Sequence, residues 1–449
     1  MEKIDRRDFL KHMGAASAAA AFVATGCKAP QGSGASDKGK KGGEMEYRTS
    51  GCGDRISLLG YGGMRFPTVG NVRGAELDQE QVNSLVDYAL EHGVNYFDTA
   101  PVYSGGKAEG ALGRALARHP RNSYFVATKM SNQRGSHTLE GGVEMYRHSM
   151  SELQVDYIDY YLLHALNGEE ASFNERFIQN GLLDFLLAER EAGRIRNLGF
   201  SFHGSPEGFD FLLSLHDKYH WDFVMIQLNY VDWNHSDECN ASYLYSELEK
   251  RGIKTVVMEP LLGGRLANVA GLVSGQMLAR RPESSVASWA FRFAGSHENI
   301  MSVLSGMTYM EHLQDNLDTF TDFEPCSPEE KEFLDGIAKA ILQYPLINCT
   351  MCNYCLPCEF GVDIPSIFNH YNKCVNEGLV PESSGDANYR KLRRAFLKGY
   401  DGSVPALRQA SHCIGCKECL KKCPQKINIP TQLHRIDEYV ETLKQQKDF

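Results

Sequence analysis

The sequence predicts an α/β fold: a (β/α)8 TIM barrel followed by a small, mostly α, cysteine-rich domain. Three observations predict it. From Arg55 to about residue 320, short apolar runs alternate with amphipathic stretches, eight strands each followed by a helix. Three successive runs close on ionisable residues, where a parallel α/β protein places its chemistry. After residue 345 the composition changes, and most of the thirteen cysteines crowd there in two runs. A doubly wound open sheet is the alternative, but no Gly-x-Gly-x-x-Gly follows the first strand. The 449 residues, 42% hydrophobic, suffice for a large barrel and a smaller module. The net charge of −10 argues against a nucleic-acid partner.

Residues 1–27 read as a targeting segment. Asp5-Arg6-Arg7-Asp8-Phe9-Leu10-Lys11 resembles a twin-arginine export signal, and an Ala-rich run from Ala15 to Ala24 follows it. That run is too short to span a membrane as a helix. It ends in Ala24-Thr25-Gly26-Cys27, which resembles a lipoprotein cleavage box. The expectation is export by the twin-arginine route, to the periplasm or to a membrane tether through a lipid on Cys27. Residues 28–46, rich in Gly, Ser and Lys, read as a flexible linker.

Residues 47–325 hold the barrel pattern. The run Asn95 to Asp98 reads as a strand that Pro101 ends, and Tyr103 follows Asp98 by five residues on the loop. Tyr124–Thr128 stops at Lys129, and Tyr157–Leu163 stops at His164. Later strands are expected at Ile195–Phe202, Phe223–Tyr230, Lys254–Pro260 and Asn299–Ser305. Helices are expected at Gln81–Glu91, Ala108–Arg118, Leu182–Ala192 and Ser285–Phe293. Asp, Tyr, Lys and His from consecutive strand ends make a proton-transfer set. A free phenol has a pKa of about 10. A nearby ammonium, itself held by a carboxylate, lowers it, and an imidazole orients a carbonyl oxygen. A strand-end Lys or His alone is usually structural; four such residues together are not.

On these residues the chain resembles the aldo/keto reductase family. Gly60-Tyr61-Gly62-Gly63-Met64-Arg65-Phe66 is similar to its first-strand motif, FDTAPVY to its Asp-to-Tyr motif, ATK to its Lys motif and LLH to its His motif. The resemblance implies a catalytic tetrad of Asp98, Tyr103, Lys129 and His164, with Tyr103 the proton donor. It also implies NAD(P)H across the barrel mouth. Ser201 and Gln227 would bond the carboxamide. Leu261, Gly263 and Gly264 would line the pyrophosphate, and Ser305 and Asn316 the adenosine end. The chain departs from the family at Phe202, at Met258-Glu259 and at His312, where Asn, Tyr-Ser and an Arg are usual. Arg265 is a candidate cation for Glu259. Without the Arg, NADP is not favoured over NAD. His203, Tyr230 and Trp233 are candidates to line the substrate mouth. The substrate expected is a small carbonyl compound or a sugar.

Residues 326–345 read as a linker with a helix at Pro328–Gln343, and residues 346–449 as an iron–sulfur domain. Cys413-x2-Cys416-x2-Cys419-x3-Cys423-Pro424 has the bacterial ferredoxin spacing. Cys349-x2-Cys352-x2-Cys355-x2-Cys358 departs from it, with x2 before its last Cys and Glu359 where Pro is usual. The ferredoxin likeness implies two [4Fe-4S] clusters, one on Cys349, Cys352, Cys355 and Cys423, the other on Cys413, Cys416, Cys419 and Cys358. Cys374 is a possible substitute for Cys358. Zinc favours two spaced pairs per site, and disulfides between residues three apart are strained. Residues 375–410 read as a polar helical spacer packed on the barrel. Cys52, Cys239, Cys326 and Cys374 read as buried or free thiols. A nicotinamide moves two electrons together, whereas a cluster passes one. No flavin motif is visible, yet a flavin stays open as a third cofactor. The clusters are either redox-active, with a partner protein to feed, or structural.

Overall fold

The computed structural model describes residues 43–71, 74–133, 137–236, 240–381, 383–385 and 388–445. The signal, the linker up to residue 42, Cys27 and Cys239 lie outside them. Ten strands are labelled in chain order. β1 (Tyr47–Thr49) and β2 (Arg55–Ser57) form an antiparallel hairpin. β3 (Leu59–Gly62), β4 (Tyr96–Asp98), β5 (Phe125–Met130), β6 (Ile158–Leu166), β7 (Ile195–Phe202), β8 (Phe223–Gln227), β9 (Lys254–Met258) and β10 (Ile300–Ser305) close a barrel in the order β10-β3-β4-β5-β6-β7-β8-β9. Neighbouring barrel strands pair parallel.

A helix follows each barrel strand: α1 (Gln79–Glu91), α2 (Ala108–Leu116), α3 (Leu139–Leu153), α4 (Leu182–Glu191), α5 (Pro206–Ser214), α6 (Ala241–Arg251), α7 (Val286–Gly295) and α8 (Met310–Phe320). Their starts follow local chemistry. Asp78, Thr138, Ser205, Asn240 and Ser285 each cap a helix by accepting a backbone N–H in the first turn. Helix faces and outward strand residues share one core, in which Leu85, Val126, Leu186 and Phe291 are buried. Inward residues form a second, separate layer that includes Tyr96, Tyr160, Phe223 and Met301.

Two expectations about the strands are corrected. β5 and β6 do not stop at Lys129 and His164; they run through them to Met130 and Leu166. Both side chains therefore stand on rigid strand backbone. The hairpin β1–β2 was not foreseen, because three-residue strands carry no readable period. Its Ile56 joins the inward layer. Asp54 beside it accepts from the Tyr160 hydroxyl at 2.9 Å and pairs with Arg196 at 3.1 Å. The hairpin thus covers the end of the barrel opposite the site.

Helix α9 (Pro328–Leu342) carries the chain from barrel to module. Ser327 and Glu330 form a reciprocal cap at its start. The Glu330 carboxylate also accepts from Arg292 and Arg281, each at 2.7 Å. Burial alone would raise its pKa, but these hydrogen bonds hold it down at about 2. A depressed carboxyl stabilises the fold above its unfolded pKa and stops doing so as pH falls through the folded value. Glu330→Gln is expected to cost about 1.5–3 kcal/mol at neutral pH. Denaturant titration should show that deficit fading as the pH falls from about 4.5 towards about 2.

The C-terminal module is helical: α10 (Ile364–Asn376), α11 (Tyr389–Ser403) and α12 (Ile429–Gln445) surround the cysteine runs. Ile367, Phe368, Phe396, Tyr400, Leu433 and Val440 make a core of its own. Residues 375–410 are therefore not a spacer laid on the barrel. Phe396 stacks edge-on to His370 and Tyr439, inside the module.

Candidate active site

β4 pairs with β5, and β5 with β6, with Asp98 opposite Ala127 and Lys129 opposite Leu162, so Asp98, Lys129 and His164 follow one another around the mouth in steps of two residues. Lys129 and Asp98 are almost fully buried. The Lys129 ammonium reaches Asp98 Oδ1 at 2.6 Å, Asp98 Oδ2 at 2.7 Å and the Thr99 carbonyl at 2.6 Å. Those three acceptors match its three hydrogens. It lies 4.9 Å from the centre of the Tyr103 ring. Tyr103 stands edge-on to His164, with ring centres 6.0 Å apart. His164 Nδ1 is 2.6 Å from Ser131 Oγ, and its carbonyl accepts from Arg176 Nη2 at 2.6 Å. The four expected residues thus come together at the C-terminal mouth.

The electrostatics differ from the expectation in one respect. The Tyr103 phenol is not made acidic. Burial raises its pKa well above 10, and Tyr354, Asp98 and Glu259 push the same way. Tyr103 keeps its proton at neutral pH, as a donor must. Burial, with Lys129, His203 and Arg176 nearby, holds His164 well below 6.5, so its imidazole is neutral. The mouth presents a protonated phenol and a neutral imidazole, two groups able to hold one oxygen atom between them.

That place is taken by a residue of the C-terminal module. Tyr354 lies between Cys352 and Cys355, and its hydroxyl is 3.4 Å from His164 Nε2. Its side chain also hydrogen-bonds Tyr103. Nothing in the sequence pointed to Tyr354, because 190 positions separate it from His164. Its flanking cysteines were the only available signal.

The eight cysteines of the two runs gather in two groups. Cys349, Cys352, Cys355 and Cys423 line one small cavity, and Cys358, Cys413, Cys416 and Cys419 line another. Burial pushes the Cys352 thiol up to about 12 and that of Cys419 to about 11. Backbone N–H groups of Met351 and Tyr354 point at the sulfurs of Cys349 and Cys352. Met351 and Asn353 turn left-handed, with φ of 58° and 67°, which aims successive amides inward. Among the described residues no group of His, Cys, Asp or Glu is arranged for a single metal ion. Four thiols gathered around one small cavity, with amide donors aimed at two of them, suit an iron–sulfur cluster, which spreads its ligands wider and neutralises the thiolates. Cys374 is apart from both groups, 3.5 Å from His370. Cys326 is buried and Cys52 exposed.

The residues matched to a dinucleotide are engaged by other groups of the chain. Ser201 Oγ accepts from the Ala165 N–H at 2.8 Å, and Asn316 Nδ2 donates to Ser305 Oγ at 2.8 Å. Gln227 Oε1 accepts from Gln425 Nε2 at 2.9 Å. In the turn after Leu261, Gly263 and Gly264 have φ of 70° and 97°. A Cβ on Gly263 would lie 2.3 Å from the Thr350 carbonyl oxygen, so the first cysteine run rests directly on this turn. Arg65 Nη2 also donates to the Thr350 carbonyl at 2.5 Å. Arg65 is the foremost cation acting on Glu259, ahead of the expected Arg265, which instead donates to Asn348 Oδ1 at 3.1 Å. A polar cavity of about 430 Å³ remains between mouth and module, lined by His203, Gln227, Arg265, Gln425 and Lys426. Of the three mouth candidates only His203 lines it. Trp233 stacks on His297 at 4.3 Å, and Tyr230 packs on Phe293. Phe202 packs against Phe209 at 4.8 Å.

Comparison with known proteins agrees with this architecture. The pattern of a 4Fe-4S dicluster domain matches residues 348–429, and that of a TAT (twin-arginine translocation) pathway signal sequence matches residues 3–23. L-galactose dehydrogenase of Arabidopsis thaliana is 26% identical over 327 residues, covering 68% of this chain and 97% of that protein. An aldo-keto reductase of Mycolicibacterium vanbaalenii is 28% identical over 276 residues, 61% of this chain and 88% of its own. The holo form of an aldo-keto reductase from Bacillus halodurans superposes with a TM-score of 0.54 at 22% identity, covering 66% of this chain and 97% of that one. An aldo/keto reductase from Klebsiella pneumoniae, solved with NADP and acetate, gives 0.52 at 19%, covering 66% and 95%. The Aldo/keto reductase family pattern itself spans residues 58–339, well over half of the chain and every barrel strand, so the chain belongs to the aldo/keto reductase family, as an oxidoreductase carrying an iron–sulfur domain and a twin-arginine export signal.

Proposed function

We propose that this chain is an exported oxidoreductase that interconverts a carbonyl compound and its alcohol at the barrel mouth. The observation that carries the reading is the arrangement of Tyr103 and His164 over the Asp98–Lys129 pair. Tyr103 gives its proton to the oxygen of the substrate during reduction and recovers it during oxidation. His164, neutral, holds the same oxygen. Lys129 and Asp98 fix the floor under the phenol, and Ser131 and Arg176 fix the imidazole. Cys349, Cys352, Cys355 and Cys423 would hold one [4Fe-4S] cluster, and Cys358, Cys413, Cys416 and Cys419 the other. When bound, the two clusters would supply electrons one at a time; the two-electron reduction also takes a second proton, to carbon, which solvent would supply, Tyr103 giving the one that ends on oxygen.

A nicotinamide dinucleotide is the hydride carrier of this family, but the positions matched to it are engaged by the chain in the docked arrangement, and no step is assigned to it. The export signal supports a working protein in the periplasm or on a lipid anchor at Cys27. A second reading, that the chain is an electron-transfer or regulatory subunit whose barrel binds dinucleotide with little turnover, draws support for its low turnover from the closure of the mouth by Tyr354.

The test is a pH profile of carbonyl reduction over a panel of aldehydes, ketones and sugars, with NADPH or a reduced dye as donor. Because burial holds the Tyr103 phenol well above 10, it stays protonated throughout the neutral range. Turnover is expected to stay level from about pH 7 to about pH 9. An alkaline fall with an apparent pKa near 8 would contradict the role given to Tyr103, and no turnover with any member of the panel would favour the second reading.

A further inference from the structure

Three of the contacts between the barrel mouth and the iron–sulfur module share one property. Each uses a barrel group matched to an external ligand, and each fills it with a module residue. Tyr354 places its hydroxyl 3.4 Å from His164 Nε2, where the reacting oxygen belongs. Gln425 gives its side-chain amide to Gln227 Oε1 at 2.9 Å, where a carboxamide belongs. Thr350 lays its backbone on Gly263, where a pyrophosphate belongs, and Arg65 holds the Thr350 carbonyl there. The residues concerned sit within, or two positions after, the cysteine runs.

We propose that the iron–sulfur module is the resident ligand of the barrel mouth, so that module docking and dinucleotide binding exclude one another. The inference rests on the reading of Tyr103 and His164 as the groups that hold the reacting oxygen. Linkage gives it a measurable form. If dinucleotide enters only when the module is off, its apparent dissociation constant is the intrinsic one divided by the undocked fraction. Each docking hydrogen bond contributes roughly 2- to 10-fold to that equilibrium. The cavity of about 430 Å³ beneath the docked module remains open to a small polar molecule.

The experiment titrates NADH and NADPH, anaerobically, into the full chain with its iron–sulfur content verified. Wild type is compared with Tyr354→Phe/Gln425→Ala, which removes the hydrogen bonds of Tyr354 to His164 and Tyr103 and those between Gln425 and Gln227, and keeps the ring that packs in the mouth. The double variant is expected to bind at least tenfold more tightly than wild type. Equal affinity, or binding by neither protein, overturns the proposal. Amide exchange of residues 348–354 in wild type gives a second readout that needs no variant. Saturating dinucleotide should deprotect these amides, and unchanged protection in a dinucleotide-bound chain overturns the proposal. Neither readout depends on turnover, so a failed role for Tyr103 and a failed exclusion are told apart.

Discussion

Tyr103→Phe is expected to lower turnover by about 10²–10⁴-fold, the scale on which a positioned general acid acts. The ring stays in place above Lys129 and beside His164, and only the hydroxyl is lost. Its removal leaves Tyr354 with His164 as partner, so the packing of the mouth should survive. Steady-state kinetics check this, and KM should move far less than kcat, because the proton is needed in the transition state rather than for binding. Turnover within a few-fold of wild type would remove Tyr103 from the chemistry.

Lys129→Met is expected to damage both stability and activity. The ammonium is surrounded by Asp98 and the Thr99 carbonyl, with almost no exposure. Breaking a buried pair by deleting one partner typically costs about 3–5 kcal/mol, since the other charge is left without compensation. A denaturant midpoint reads this directly. Removing both charges, as in Lys129→Met/Asp98→Leu, should return part of the stability while turnover stays low. If the single variant is as stable as wild type, the pair does not carry the electrostatic load assigned to it here.

Much of this was legible in the sequence because barrel strands announce themselves. Ile195–Phe202 matches its strand end to end, and the starts of β8 and β9 fall where their apolar runs begin. Strand ends were harder to read. β5 and β6 continue through Lys129 and His164, since a polar residue facing a barrel mouth does not stop the ladder. The set of mouth residues could be read from type and order alone. The acidity of the phenol could not, because it depends on what covers the phenol, and Tyr354 comes from the far end of the chain. The same holds for Gln227 and Gly263. Their types fit a dinucleotide, and only the folded module reveals that Gln425 and Thr350 already occupy them. The grouping of the cysteines came from the ferredoxin likeness, and the two small cavities are lined by the same sets. Trp233 could be read either way, because an aromatic after a strand fits a mouth or a helix interface equally well, and it packs on His297 and Tyr245.

The central claim is that the mouth of this barrel is closed by its own iron–sulfur module over Tyr103. Native mass spectrometry of the protein, purified anaerobically from the compartment to which it is exported, tests it most directly. The account predicts the chain plus two [4Fe-4S] clusters and no retained dinucleotide. A chain that carries a bound nicotinamide dinucleotide together with both clusters would contradict it.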